Sequence, residues 1–322
     1  MAIGEFDLIR RWFTRSGAAA PGVDLGIGDD CALLRAAPGQ QWAVSSDMLV
    51  EGRHFLSTVD PAALGHKALA VNLSDLAACG ATPRGFLLAL AMPRVEPGWL
   101  DGFSRGLFAL ADRHACPLVG GDTTAGPLNL CVTVLGEVPS GSALLRAAAL
   151  PGDDLWVSGT LGGARLALEV FRGRRSIPQA DFDAARRAME WPEPRVALGQ
   201  ALRGIARAAI DVSDGLVGDL AHVLAASGVG ARVDADAVPA HPALAGLPVA
   251  DRRWLVLSGG DDYELLFTAP AAAREAVLAA GVASGTPVSR IGTVESARGL
   301  RLLDGAGVPL AGDFASFDHF AA

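Results

Sequence analysis

The sequence predicts an α/β protein of two domains, on three observations. Its 322 residues, 51% of them hydrophobic, can bury a sizeable core at a length where single cores begin to divide. Short β-branched and apolar runs bounded by Gly and Pro alternate with longer stretches whose apolar residues recur every three to four positions. Between 139 and 154, "PSGSALLRAAALPGDD" shifts to Gly, Ser, Ala and Pro, as in a connection between domains.

The elements follow in order. "MAIGEFDLIRRWF" reads as an amphipathic helix, and strands are expected at about 30–35, 42–47, 84–92, 117–121 and 128–138. Helices fit "DPAALGHKALAVNLSDLAACG" and "PGWLDGFSRGLFALADRHA", each with Pro near its start. Beyond the connection come strand "DLWVSGT", helices near 161–172 and 194–207, strand "AAIDV" and helix "GLVGDLAHVLAASG". "GGDDYELLFTAP" reads as a further strand, with Tyr263, the only tyrosine, packing below it, and short strands close the chain before "SFDHF". The Arg-rich "FRGRRSIPQADFDAARRAMEW" reads as a solvated helix and loop. No repeat of 20 to 50 residues appears, but "NLSDLAACG" and "DVSDGLVGD" echo each other, each a Ser-Asp pair where an apolar strand or turn meets a helix.

Composition removes several function classes. A formal charge of -8 gives no electrostatic attraction to nucleic acid or an anionic membrane. No apolar run approaches the roughly 20 residues that span a bilayer, and the N-terminal stretch lacks a cleavage site, so a cytoplasmic protein is expected. Cys31, Cys79, Cys116 and Cys131 lie far apart without zinc spacing and read as small buried hydrophobes. Lys67 is the only lysine, and "LGHKAL" lacks the glycine pattern of a phosphate-binding loop. Phosphate chemistry in this chain must therefore use arginine, backbone N–H groups or metal ions.

The acids gather at the ends of elements: Asp29 and Asp30, Asp47, Asp75, Asp122, Asp211 and Asp214, Asp261 and Asp262. Each alone is explicable as a cap or turn residue. Together, beside glycines at strand ends, they sit where sheet proteins place ligands. Like charges converging in one cleft repel by on the order of 4 kcal/mol per close pair, so they must protonate, separate or bind cations. Hard oxygen donors without EF-hand spacing favour Mg²⁺, which shares its remaining positions with phosphate oxygens. A nucleotide triphosphate could then be held through several Mg²⁺ ions, with Arg146 and turn N–H groups in direct contact.

"GIGDDCALL", "SSDMLVEGRHF", "NLSDLAACGATP", "LVGGDTT", "DVSDGL", "GGDDYELLFT" and "FDHF" occur in this order, and the whole chain resembles the thiamine-monophosphate kinase family. That family belongs with aminoimidazole ribonucleotide synthetase, selenophosphate synthetase and a hydrogenase-maturation protein. The resemblance implies a two-domain PurM-like α/β (α+β) fold, with N-terminal sheets joining into a barrel across a homodimer and an ATP-holding cleft. It implies that residues 1–146 bind ATP and metal and dimerise, while 147–322 form an α/β domain completing the nucleotide and substrate site. Asp30, Ser45, Ser46, Asp47, Asp75, Asp122, Asp211 and Asp214 match magnesium ligands; Gly121, Asp122, Arg146 and Ser213 match ATP positions; His54, Asp261 and Phe317 match thiamine-phosphate positions. Arg146 stands in "LRAAA" where the family usually reads "RSGA", Cys79 replaces a common methionine, and Asp261 replaces a frequent glutamate.

The implied reaction is ATP plus thiamine monophosphate giving ADP plus thiamine diphosphate, the last step in making that product. Its nucleophile is a phosphate oxygen, dianionic at neutral pH because the second pKa of a monoester is about 6, so no catalytic base is expected. The barrier is then the repulsion between two polyanions, met by metal neutralisation and in-line positioning. Asp47, Asp75 and Asp122 are expected nearest the transferred group, and Phe317 could stack on the cationic ring. A selenophosphate synthetase would carry a reactive Cys in its N-terminal segment, and the hydrogenase-maturation relative a terminal Cys where this sequence reads "FDHFAA". A catalytically dead binding protein would not need Asp47, Asp75 and Asp122 intact.

Overall fold

The structure, a computed structural model, describes residues 4–15, 21–27, 31–312 and 314. Its contacts divide into two compact units, 1–76 with 81–141, and 77–80 with 142–322. The break after 141 falls inside the expected connection, and Arg146 lies beyond it in the second unit.

The first unit opens with a helical turn α1 (Glu5–Leu8) that continues as a π-helical turn over Ile9–Phe13, burying Trp12 and Phe13. A two-stranded pair follows, β1 (Val23–Leu25) and β2 (Leu33–Leu34). The strand expected at 30–35 is thus only two residues long. The main sheet takes β3 (Gln40–Val50), β4 (Thr82–Met92), β5 (Leu118–Ala125) and β6 (Asn129–Pro139) in the order β3-β6-β4-β5. Only β4 and β5 run parallel, joined by the crossover helix α3 (Pro97–Arg113). Helix α2 (Pro61–Ala78) buries Leu64, Leu69, Leu73 and Leu76, as β4 buries Phe86 and Leu90 and α3 buries Phe103 and Leu107.

Helices α2 and α3 meet backbone to backbone. A Cβ at Gly65 would lie 2.0 Å from the Phe103 carbonyl oxygen, and one at Gly106 would lie 1.9 Å from that of Ala62. This contact holds α2, with Asn72 and Asp75 on it, at a fixed height in the unit.

The second unit is built on a six-stranded sheet in the order β12-β9-β11-β7-β10-β8. Its strands are β7 (Asp153–Ser158), β8 (Ala209–Asp211), β9 (Gly230–Asp234), β10 (Leu265–Pro270), β11 (Val288–Glu295) and β12 (Gly299–Leu303). The β9–β12 pair is parallel and the other pairings are antiparallel. Helices α4 (Gly163–Phe171), α5 (Gln179–Glu190), α6 (Val196–Ala201), α7 (Leu216–Ser227), α8 (Val249–Ser258) and α9 (Arg274–Ser284) connect them. Leu155, Val157, Leu166, Ile210, Leu220, Leu255 and Leu266 belong to one buried cluster.

Four expectations need correction. The strand read across "GGDDYELLFTAP" begins only at Leu265, because Asp261 and Tyr263 have φ of 70° and 52°, a conformation no strand contains. Tyr263 is accordingly half-buried in a loop and does not lie under a strand. The helix expected at 194–207 is a single short one, Val196–Ala201. The Arg-rich segment is packed as well as solvated: Arg175 pairs with Asp251 at 2.8 Å, and Phe171 meets Phe182 edge-on at 5.2 Å.

Candidate active site

Alternation along β3 sorts the first acids. Its odd-numbered residues Ser45, Asp47 and Leu49 are shielded more than their neighbours, whereas Trp42, Val44, Met48 and Val50 stay exposed. Ser45 Oγ donates to Asp75 Oδ2 at 2.5 Å, and the Asp47 amide donates to Asn72 Oδ1 at 3.0 Å. Asn72 and Asp75 are three apart on α2, so both reach the same stretch of β3. Asn72 is fully buried and its Nδ2 donates to the Ala68 carbonyl at 3.0 Å, which fixes the amide orientation that receives Asp47. Asn72 was not among the expected site residues; its spacing from Asp75 was the available signal.

Ser46 takes the other side. Its hydroxyl lies 2.8 Å from Thr133 Oγ1 and 3.3 Å from the Val132 carbonyl oxygen, so the hydroxyls of Ser45 and Ser46 do not converge. Ser74 and Asp75 also differ from expectation: they lie within α2, not where a strand or turn meets a helix. The Ser-Asp pair that does stand before a helix is Ser213-Asp214, ahead of α7.

His54 occupies a tight turn after β3. Its amide donates to the Val50 carbonyl at 2.9 Å, and the Val50 amide donates to its Nδ1 at 3.0 Å. Nδ1 is thus an acceptor, and a neutral ring carries its proton on Nε2, as a donor. Gly121 and Asp122 lie within β5, where Gly121 has φ of 148° and a Cβ would meet the Leu88 carbonyl oxygen at 1.9 Å. Only glycine permits that approach. Asp122 is exposed and pairs in register with Ala89.

In the second unit two loops carry the remaining residues, and they are bonded to each other. The Asp261 amide donates to the Ser213 carbonyl at 2.8 Å, and the Tyr263 amide to the Val212 carbonyl at 2.9 Å. Asp211, buried on β8, pairs with Leu265 of β10 just beyond. Gly260 makes the approach possible, since a Cβ there would lie 2.3 Å from the Ser213 oxygen.

Carboxylates not matched to any ligand hold these loops, Asp219 and Glu264 buried and Asp262 half-buried. Asp219 Oδ2 accepts the amides of Ser213, Asp214 and Gly215 at 3.0, 3.1 and 3.1 Å. Burial pushes its pKa up to about 7, helped by the neighbouring Asp214 and opposed by those amides. Both oxygens of Asp262 accept the Gly162 amide at 3.0 Å, ahead of α4, and desolvation pushes its pKa well above the ordinary range. Glu264 takes a forked contact from Arg195, at 2.7 Å from Nε and 2.5 Å from a terminal nitrogen, and a 2.5 Å bond from Ser158 Oγ. Arg146 is exposed in a short 3-10 turn whose backbone carbonyl accepts from Ser227 Oγ at 2.9 Å.

Asp30 and Phe317 lie outside the described residues. Among the described residues no three His, Cys, Asp or Glu side chains are grouped so as to hold a metal ion. The Ser45 hydroxyl and the Asp75 carboxylate are nevertheless hard oxygens brought together by two elements, the donor type that suits Mg²⁺. Among the described residues no helix is long and apolar enough to cross a membrane.

Residues 28–138 match the family described as AIR synthase related protein, N-terminal domain, and residues 151–305 match its C-terminal domain. The chain is 47% identical over 328 aligned residues to the thiamine-monophosphate kinase of Salmonella typhimurium, covering 100% of this chain and 99% of that protein. The crystal structure of thiamine-monophosphate kinase from Stenotrophomonas maltophilia superposes with a TM-score of 0.87 at 44% identity, covering 96% of this chain and 99% of the other. A structure described as AaThiL complexed with AMPPCP and TMP superposes with a TM-score of 0.77 at 28% identity, covering 89% of each chain.

Proposed function

This chain belongs to the thiamine-monophosphate kinase family, and from that premise we propose that it transfers the γ-phosphoryl group of ATP to thiamine monophosphate, releasing ADP and thiamine diphosphate. The observation that carries this reading is the likeness along the full length of the chain, at 47% identity. The 28% identical relative complexed with AMPPCP and TMP supports pairing a nucleotide with a phosphorylated acceptor.

The acceptor phosphate is already dianionic at neutral pH, so the residues need to position and neutralise; they need not remove a proton. In the first unit Ser45, Ser46, Asp47, Asp75 and Asp122 would hold Mg²⁺ with Asp30, Ser46 through its backbone, since its hydroxyl is turned to Thr133. In the second, Asp211 and Asp214 would contribute further carboxylates. Bound Mg²⁺ supplies charge neutralisation between the two polyanions and a template for in-line approach. Gly121 and Asp122, Arg146 and Ser213 are assigned to ATP, the arginine as the cationic phosphate donor that a P-loop lysine would otherwise supply. His54, with Nε2–H as donor, Asp261 and Phe317 are assigned to thiamine monophosphate.

A homodimer is part of the same reading. The exposed row of Trp42, Val44, Met48 and Val50 on edge strand β3 is the apolar surface that supports it. Of the four cysteines only Cys116 is buried; Cys31 is exposed and Cys79 and Cys131 are half-buried, so the reading as small buried hydrophobes holds for Cys116 alone.

The test is an ADP-release assay coupled to product chromatography. ADP and thiamine diphosphate should appear in equal amounts with ATP, Mg²⁺ and thiamine monophosphate. ADP without thiamine diphosphate, or turnover undiminished by chelation, would overturn the assignment.

A further inference from the structure

We infer that Asp219 is a positioning residue for the nucleotide side of the reaction, acting through the backbone of Ser213 and Asp214. The inference rests on the functional reading above, which assigns Ser213 to ATP and Asp214 to a metal ion.

Asp219 is 3% exposed and lies in the first turn of α7. An acidic side chain in a helix's first turn ordinarily reaches back to the N-cap amide alone, as in a capping box. Here a single oxygen reaches back past the helix start and gathers three successive amides of the preceding loop, Ser213, Asp214 and Gly215. The N-cap position gives the helix no side-chain acceptor, because Gly215 there has no side chain. Three amides converging on one atom leave the backbone of that loop a single course.

That course has two consequences. It sets where the Ser213 hydroxyl and Asp214 carboxylate emerge, and it turns the Ser213 carbonyl outward to accept the Asp261 amide at 2.8 Å. No side chain of Asp219 is needed at the substrates, so its role is exerted entirely through the loop.

Asp219→Ala and Asp219→Asn in the full-length protein test this. The Ala variant removes the acceptor; the Asn variant keeps one carbonyl oxygen and loses the charge. Asp219→Ala is expected to raise KM for ATP, and the dissociation constant for ATP with Mg²⁺ by calorimetry, about tenfold, equal to about 1.4 kcal/mol. Asp219→Asn is expected to recover most of that loss, to within about threefold of the parent. A residue that served folding alone would lower the melting temperature and leave both constants unchanged in the folded fraction, and that result would overturn the inference. Should Asp219→Ala not fold, the Asn variant decides: a dissociation constant for ATP raised about two- to threefold, as a weaker neutral acceptor should give, supports the role, and one indistinguishable from the parent's refutes it. The calorimetric arm omits thiamine monophosphate, so an error in the acceptor assignment would show as absent thiamine diphosphate from the parent protein and leave this test standing.

Discussion

The backbone amide of Asp261 donates to the backbone carbonyl of Ser213 at 2.8 Å, joining the loop assigned to the acceptor to the loop assigned to the nucleotide. The bond depends on a residue with no side chain, because a Cβ at Gly260 would stand 2.3 Å from the same Ser213 oxygen and 3.0 Å from the Asp214 carbonyl carbon. Gly260→Ala must therefore push the loops apart. The expected result is a loss of about 1–3 kcal/mol in stability by urea unfolding. With it, kcat/KM should fall for ATP and for thiamine monophosphate alike. A variant affected for one substrate only would show that the loops work independently.

Asp47 offers the opposite case, a residue whose removal should spare the fold. Its amide is held by Asn72 whatever side chain it carries, and the side chain itself is only half-buried. Asp47→Ala is expected to cut transfer by about 100-fold or more, the least that losing a metal ligand should cost when losing a residue that only hydrogen-bonds a ligand already costs about 10–100-fold. Stability should stay within about 0.5 kcal/mol of the parent, as for surface changes. Asn72→Ala should do the reverse in part: it strands a buried amide, at a cost of about 1–3 kcal/mol, and lets β3 shift under Asp47. Circular dichroism melts beside ADP release separate the two outcomes.

How much of this was legible beforehand depends on the reach of each interaction. Helix α2 was readable almost to its ends, because Leu69, Leu73 and Leu76 repeat at helical spacing and are all buried. The loop at 259–264 was not, since "GGDDYELLF" has the composition of a strand entry and nothing local announces that Asp261 and Tyr263 adopt positive φ. Those conformations are imposed by partners elsewhere in the chain, Val212, Ser213 and Gly162. Ser45 and Ser46 illustrate the same limit on a smaller scale. Motif matching joins them, whereas strand alternation sends their hydroxyls to opposite sides. Asp219 stands in the helix read across "GLVGDLAHVLAASG" with nothing in the sequence to single it out; only the folded loop shows the three amides it receives.

Acid should weaken one defined clamp in the second unit. Arg253 donates to both oxygens of Asp236, at 2.7 and 2.6 Å, and the Gly305 amide adds a third bond at 2.8 Å. Chiefly because of Arg253, and next because of Gly305, the Asp236 carboxyl is held down at about 2. A folded-state pKa below the unfolded value, about 3.9, means that the carboxylate stabilises the fold at higher pH and that this contribution is lost as pH falls through the folded value. The difference in unfolding free energy between the parent and Asp236→Asn should be constant above pH about 5 and shrink steadily between about 4 and 2. Urea unfolding across that range measures it. A difference independent of pH would show that the Arg253 contact does not select the charged form.

The acceptor itself supplies the sharpest discrimination. A phosphate monoester loses its second proton at about pH 6, so the nucleophile is ready at neutral pH without help, whereas the hydroxyl of thiamine would need a base to take its proton. His54 is the imidazole assigned to the acceptor, and its Nδ1 is occupied by the Val50 amide at 3.0 Å. The remaining nitrogen then carries a proton and donates, the wrong state for a base. Thiamine is accordingly expected to react more slowly than thiamine monophosphate by a factor of about 10²–10⁴, the usual contribution of general base catalysis. With thiamine monophosphate, kcat/KM should fall below pH about 6 as the substrate phosphate takes up its proton. His54→Asn should raise KM for the acceptor while leaving that acid limb in place, because the limb belongs to the substrate. An acid limb that disappears with His54 would mean that the ring, not the phosphate, sets the rate, and comparable turnover of thiamine would require a base elsewhere in the chain.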